Sequence, residues 1–212
     1  MDQFAVANGK TNCAMVLNCD SLEFSHVPFD LGDYSLVIIN SKKPRELADS
    51  AYNQRRIECE NALQIIQRHR QIDQLVLATE SDLEIISDAV LKKRTKHAYS
   101  EQLRVKASEL VLQNSDVRSF GKLLNQSHHS LRDDFEVSCS ELDFIVDYLI
   151  DSKHCLGARM TGAGFGGCCI AVIKHSEASE LCERLCVAYE VEFGYTPDWF
   201  VCKTANGVHS VT

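Results

Sequence analysis

The stretch GARMTGAGFGGCCI, residues 157–170, holds the densest chemical signal in the chain. Four glycines fall within 162–167, with Arg159 and Thr161 just ahead of them. Glycine reaches backbone angles that other residues avoid, and it lets a ligand come close to the main chain. Successive N–H groups in such a turn can form a nest for an anion. A guanidinium and a hydroxyl beside that nest would suit phosphate. The bland alternative is a tight turn or bulge with no ligand. The spacing Gly162-x-Gly164-x-x-Gly167 matches the dinucleotide-binding pattern, which must follow a strand and open a helix. Here a helix is expected before the loop and a strand after it, which speaks against a dinucleotide site. No Lys-Ser/Thr pair follows the glycines, so the loop is not a P-loop either.

Other reactive side chains point less sharply. The ten cysteines include no C-x-x-C and no Cys/His pairs at zinc spacing. They read as small buried hydrophobes in a reducing compartment, with a metal or disulfide role as the alternative. Cys182 and Cys186 share a helix face, and Cys168 and Cys169 sit in an apolar run. His128 and His129 are adjacent and therefore face different sides, so a structural role is expected rather than a shared metal. Arg132, Asp133 and Asp134 read as a solvated or capping cluster. No metal site is expected.

The elements that must carry these groups follow from the apolar pattern. Residues 13–41 read as strands: two short runs around Asn18-Cys19-Asp20, then YSLVIIN at 34–40. Pro44 suits the first turn of a helix reaching about Arg70, with Tyr52, Cys59, Leu63 and Ile66 near one face. Shorter and longer helices are expected at 82–91 and 95–113. Ser138 and Glu141 form the pattern of a capping box ahead of Leu142, Ile145, Val146, Leu149 and Ile150, an amphipathic helix. Strand CCIAVI (168–173), a helix from Glu177 to Phe193 stopped by Gly194, and strand WFVCK (199–203) complete the chain. Asn206-Gly207 signals a turn. The fold class is α+β with a small sheet.

Composition bounds the partners. Of 212 residues, 45 % are apolar and 25 % charged, enough to bury a core. The formal net charge is −8 and no basic run stands out, which argues against nucleic acid or an acidic membrane surface. No apolar stretch approaches the roughly 20 residues of a membrane span. The start, MDQFAVANGK, lacks the layout of a signal peptide, so the expected address is cytoplasmic.

ARMTGAGFGG resembles the third signature motif of the galactokinases, a branch of the GHMP small-molecule kinase superfamily. MDQFAVANGK resembles the family's segment after its substrate-binding turn. RELADSAYNQRRIECENAL (45–63), HAYSEQLRV (97–105) and LLNQSHHSLRDDFEVSCSELD (123–143) resemble further family segments in family order. The resemblance covers essentially the whole chain. It implies phosphoryl transfer from MgATP to the anomeric hydroxyl of galactose. It implies that Asp2 accepts the hydroxyl proton and that Tyr52 contacts the sugar. A core aromatic on a helix face is the alternative for Tyr52. Gly162, Gly164, Gly166 and Gly167 would bind the nucleotide or support its site. The implied architecture is a GHMP-kinase C-terminal ferredoxin-like domain over 45–212, preceded by residues 1–44 as the last strands and helix of the N-terminal domain.

The family's first motif, with the sugar-binding acids and an arginine that assists the aspartate, is not found in these residues. Neither is the second, the Gly/Ser-rich loop that holds the ATP phosphates. The chain alone is therefore expected not to phosphorylate galactose at a useful rate. Its opening strands are expected to lack sheet neighbours, and apolar surface that would face the other domain is expected to favour association. The alternatives are a non-catalytic binding or sensor module and a truncated remnant.

Overall fold

The computed structural model describes residues 2–44 and 48–208. The side chains of Asp2, Ala48 and Asp49 lie outside that description, as do residues 45–47 at the start of RELADS. The chain runs α1 (Asp2–Asn8), β1 (Cys13–Leu17), β2 (Phe24–Pro28), β3 (Tyr34–Asn40) and α2 (Ala48–Gln67). It continues through α3 (Asp82–Ile85), α4 (Ala89–Gln113), α5 (Val117–Asp133), α6 (Ser140–Ile150), β4 (Cys155–Met160) and β5 (Cys168–Lys174). α7 (Ala178–Phe193) and β6 (Asp198–Cys202) close it.

Four strands form one antiparallel sheet in the order β4-β5-β3-β6. Period-two alternation gives each strand two apolar faces. Val37 and Ile39 of β3 and Cys169, Ala171 and Ile173 of β5 face α6 and α7. There they meet Leu142, Ile145, Val146 and Leu149 of α6, all fully buried. Each such side chain contributes about 1.5–3 kcal/mol of apolar burial. Leu36, Ile170 and Val172 face the other way, toward Leu124 and Phe120 of α5. A second core of Ala62 and Ile66 from α2 with Ile72, Leu75 and Ile86 joins α2, α3 and α4.

The expectation that the opening strands lack neighbours does not hold for β3, which is hydrogen-bonded on both edges, to β5 and to β6. Residues on the two sides of position 44 therefore share a sheet. β1 and β2 pair only with each other among the described strands.

Other expectations are also corrected. Strand β4, helix α5 and helix α1 were not apparent in the sequence. The glycine loop thus follows a strand, not a helix, and closes the β4–β5 hairpin. The capping box does not form: Cys139 is the N-cap of α6 and makes no side-chain cap bond. Ser138 Oγ donates to Asp143, and Glu141 is engaged elsewhere.

Helix α5 lies against the outer edge of β4. A Cβ on Gly157 would overlap the Gly121 carbonyl, so glycine at both positions allows backbone to touch backbone. Asn125 Oδ1 accepts the Ala158 amide at 2.8 Å, and His128 Nδ1 accepts that of Met160 at 3.3 Å. Side chains one helical turn apart thus satisfy donors that a further strand would otherwise take.

Candidate nucleotide-side site

Residues 161–167 bridge β4 and β5, closed by a hydrogen bond from Thr161 N to the Cys168 carbonyl at 2.8 Å. Gly162, Gly164, Gly166 and Gly167 all have positive φ, at 80°, 86°, 130° and 90°, and so does Phe165 at 58°. Five of six consecutive residues in a region costly for L side chains explain the glycines. A strand follows the loop, so the dinucleotide pattern lacks the helix its chemistry requires.

The glycines are not equivalent. A Cβ on Gly164 would overlap the carbonyl oxygen of Val137, which accepts the Phe165 amide at 2.8 Å. A Cβ on Gly166 would stand 3.1 Å from the Lys43 carbonyl oxygen and 3.4–3.5 Å from its side-chain stem. Gly162 has nothing within 4 Å of that position. The loop is therefore backed by protein at Gly164 and Gly166 and open at Gly162.

Two supports hold it. The first is the turn after β3: Ser41 donates to the Gly167 carbonyl from its N–H at 2.9 Å and its hydroxyl at 2.8 Å. Lys43 Nζ reaches both oxygens of Glu141 at 2.7 and 2.9 Å. Burial pushes the Glu141 carboxyl up, but the bonds from Lys43, a backbone amide and Ser140, with the Lys43 charge, together outweigh it and hold the group below its ordinary value.

The second support is segment 134–137. Arg94, with a side chain 2 % exposed, bonds Glu58 at 2.6 Å, the Asp134 carbonyl at 2.6 Å and Glu136 at 2.8 Å. Arg55 of α2 adds bonds to the Phe135 and Glu136 carbonyls at 2.7 and 3.1 Å. Burial pushes Glu58 up, and the bonds from Arg94 and Gln54 together with the charges of Arg94 and Arg55 hold it low. The Arg94 guanidinium itself depresses Glu136.

The expected site residues are placed as follows. The four glycines share the loop. Tyr52 lies on α2, one turn before Arg55, and is 53 % exposed, so it is not a core aromatic. Asp2 opens α1, and its side chain lies outside the described residues. Arg159 does not serve the loop with a free charge: its guanidinium pairs with Glu101 of α4 at 3.0 Å. His128 is buried under β4, its Nε2 3.2 Å from Asp143 Oδ1 without hydrogen-bond alignment, while His129 is exposed. Lys43, Ser41 and Val137 were missed. No local pattern marks them, since their partners lie far along the chain.

The ten cysteines form no disulfide; three are buried, six half-buried and Cys19 exposed. Among the described residues no group of three or more His, Cys, Asp or Glu side chains converges on one point. No helix among them is long and apolar enough to cross a membrane.

Comparison with known proteins supplies the context. Residues 108–191 match the family profile described as GHMP kinases C terminal. The chain is 42 % identical over 215 residues to the galactokinase of Clostridium acetobutylicum, covering 100 % of the chain and 55 % of that protein. The galactokinase of Exiguobacterium sibiricum is 40 % identical over 213 residues, again with 55 % of its length covered. The chain thus spans about half the length of these relatives. The crystal structure of Lactococcus lactis galactokinase complexed with galactose superposes with a TM-score of 0.91 at 38 % identity, over 96 % of this chain and 54 % of that one. A Leishmania major mevalonate kinase structure, 16 % identical with a TM-score of 0.55, shares the fold. Residues 108–191 thus carry the pattern of the GHMP-kinase C-terminal family, and along its whole length the chain is similar to the C-terminal portion of galactokinases.

Proposed function

We propose that these residues form the C-terminal side of a galactokinase active site. The complete site transfers the γ-phosphoryl group of MgATP to the anomeric hydroxyl of galactose. The observation that carries the reading is the β4–β5 loop, backed by protein at Gly164 and Gly166 and open at Gly162. Similarity to galactokinases over the whole chain, one of them crystallised with galactose, supports the sugar. In this reading Gly162 presents open backbone to the nucleotide, while Gly164, Gly166 and Gly167 hold that backbone in place. Tyr52, exposed on α2, contacts the sugar.

Asp2 takes the proton from the anomeric hydroxyl as its oxygen attacks the γ-phosphorus and ADP leaves. Phosphoryl transfer asks the protein mainly for positioning and charge stabilisation, so one carboxylate and a fixed loop are fitting contributions. Magnesium would be held chiefly by the nucleotide phosphates with one or two carboxylates, and no step is assigned to it here. Residues 1–44 then continue from the family's N-terminal domain into β3, which joins the sheet of the C-terminal domain formed with 45–212.

The test joins these residues, in family register, behind the N-terminal part of the Clostridium acetobutylicum enzyme. Galactose-dependent ADP release is expected from the joined protein and not from its Asp2→Asn variant. A folded joined protein with no galactose-dependent turnover contradicts the reading.

A further inference from the structure

The pair Lys43–Glu141 does more than neutralise charge. Lys43 stands at the end of the turn after β3, and its stem and carbonyl fill the space beside Gly166 that a side chain would take. Its ammonium is anchored on Glu141 in the first turn of α6 by two bonds. Glu141, 8 % exposed, also accepts from Ser140 Oγ at 2.9 Å and Tyr195 Oη at 3.4 Å, so it cannot swing away freely. Two residues before Lys43, the fully buried Ser41 holds the Gly167 carbonyl. The Ser41 carbonyl in turn accepts from Tyr189 Oη of α7 at 2.8 Å. The turn at 41–43 is thus tied to α6, α7 and the glycine loop at once.

We propose that Lys43 and Glu141 are positioning residues that latch the glycine loop against α6. This rests on the kinase reading for its purpose: a loop fixed at Gly166 and Gly167 leaves the Gly162 backbone ready for the nucleotide. The geometry of the latch does not depend on that purpose. Loss of a charge-assisted pair loosens what it holds locally, provided the surrounding core stays intact.

The test is native-state amide hydrogen exchange on the 212-residue chain. It compares the chain with Glu141→Gln, Lys43→Met and the double variant. The Ser41 amide, bonded to the Gly167 carbonyl, and the Phe165 amide, bonded to the Val137 carbonyl, report on the loop. Ala171, in the buried centre of β5, is the control. Each single variant is expected to speed exchange at Ser41 and Phe165 by about tenfold, as for a lost charged hydrogen bond, and to leave Ala171 unchanged. The double variant is expected to match the singles, because one interaction is lost in all three. Should Glu141→Gln not fold, Lys43→Met gives the same comparison, since the Lys43 side chain is 31 % exposed.

Unchanged exchange, additive effects, or equal loosening at Ala171 overturns the proposal. In the joined protein the same variants are expected to raise KM for MgATP and leave KM for galactose unchanged. A shift in both constants, or in neither, also overturns it. Total inactivity of the unsubstituted joined protein counts against the kinase reading, and the exchange result then decides the latch alone.

Discussion

The Val137 carbonyl accepts the amide of Phe165 at 2.8 Å and stands where a Cβ on Gly164 would have to be. One backbone oxygen thus fixes the loop and dictates glycine at its centre. Gly162→Ala meets no neighbour and costs only the left-handed backbone, about 1–2 kcal/mol. Gly164→Ala adds overlap with a carbonyl that is itself held, roughly 1–3 kcal/mol more. Urea unfolding of the two variants checks this order, and equal losses would contradict the assignment of open and backed glycines.

The Arg94 network predicts acid sensitivity. Glu58 and Glu136 have folded-state pKa values below the ordinary 4.5. Their stabilising contribution is complete above 4.5 and is lost as pH falls through the lowered values. Arg94→Met leaves half-buried Glu58 with Arg55 alone, 3.2 Å away, and removes the bonds to Glu136 and the Asp134 carbonyl, an expected loss of about 1.5–3 kcal/mol at pH 7. The variant's stability should then fall less steeply than the parent's as pH drops below 4.5. Denaturant midpoints across that range measure the difference.

Asn125 offers a sharper probe of how α5 seals β4. Its side chain is the acceptor for the amide of fully buried Ala158. Asn125→Ala leaves that N–H unsatisfied and should cost about 1–3 kcal/mol. Hydrogen exchange at Ala158 should accelerate more than at Ala171 on the neighbouring strand. Protection that stays unchanged would show that another group takes the bond.

Thiol reactivity should sort by burial. Burial pushes Cys155 and Cys182 up to about 12 and Cys59 to about 11, and raises Cys169 well above its ordinary 9.0. At pH 8 these thiols hold almost no thiolate, the reactive form. Alkylation of the native chain followed by peptide mass spectrometry should label exposed Cys19 first and Cys155, Cys169 and Cys182 last. Early labelling of Cys169 would place the β5 core in question.

The parts legible in the sequence were those where burial and polarity agree. Helix α6 was plain because Leu142, Ile145, Val146 and Leu149 repeat at helical spacing and all face the core. Helix α5 was hidden because Ser127, His128 and Ser130 occupy buried positions on it. These polar residues sit there to bond across to neighbours, as His128 does to Met160, and so they break the apolar stripe. β4 was hidden by Gly157 and Arg159, one needed for close packing and the other paired with Glu101. Ser138 and Glu141 had the spacing of a capping box, but Asp143 and Lys43 offered those side chains other partners. The glycine loop was readable as a loop. Which glycine is open was not, because the backing atoms belong to Val137 and Lys43, outside the motif.

In the proposed function these 212 residues supply the glycine-loop side of a galactokinase cleft, and the loop that grips the triphosphate is not among them. The most direct measurement of this is a coupled assay of the purified 212-residue chain with galactose and MgATP. No turnover above background is expected from the chain alone. Sustained galactose phosphorylation at the rate of an intact galactokinase would contradict the reading.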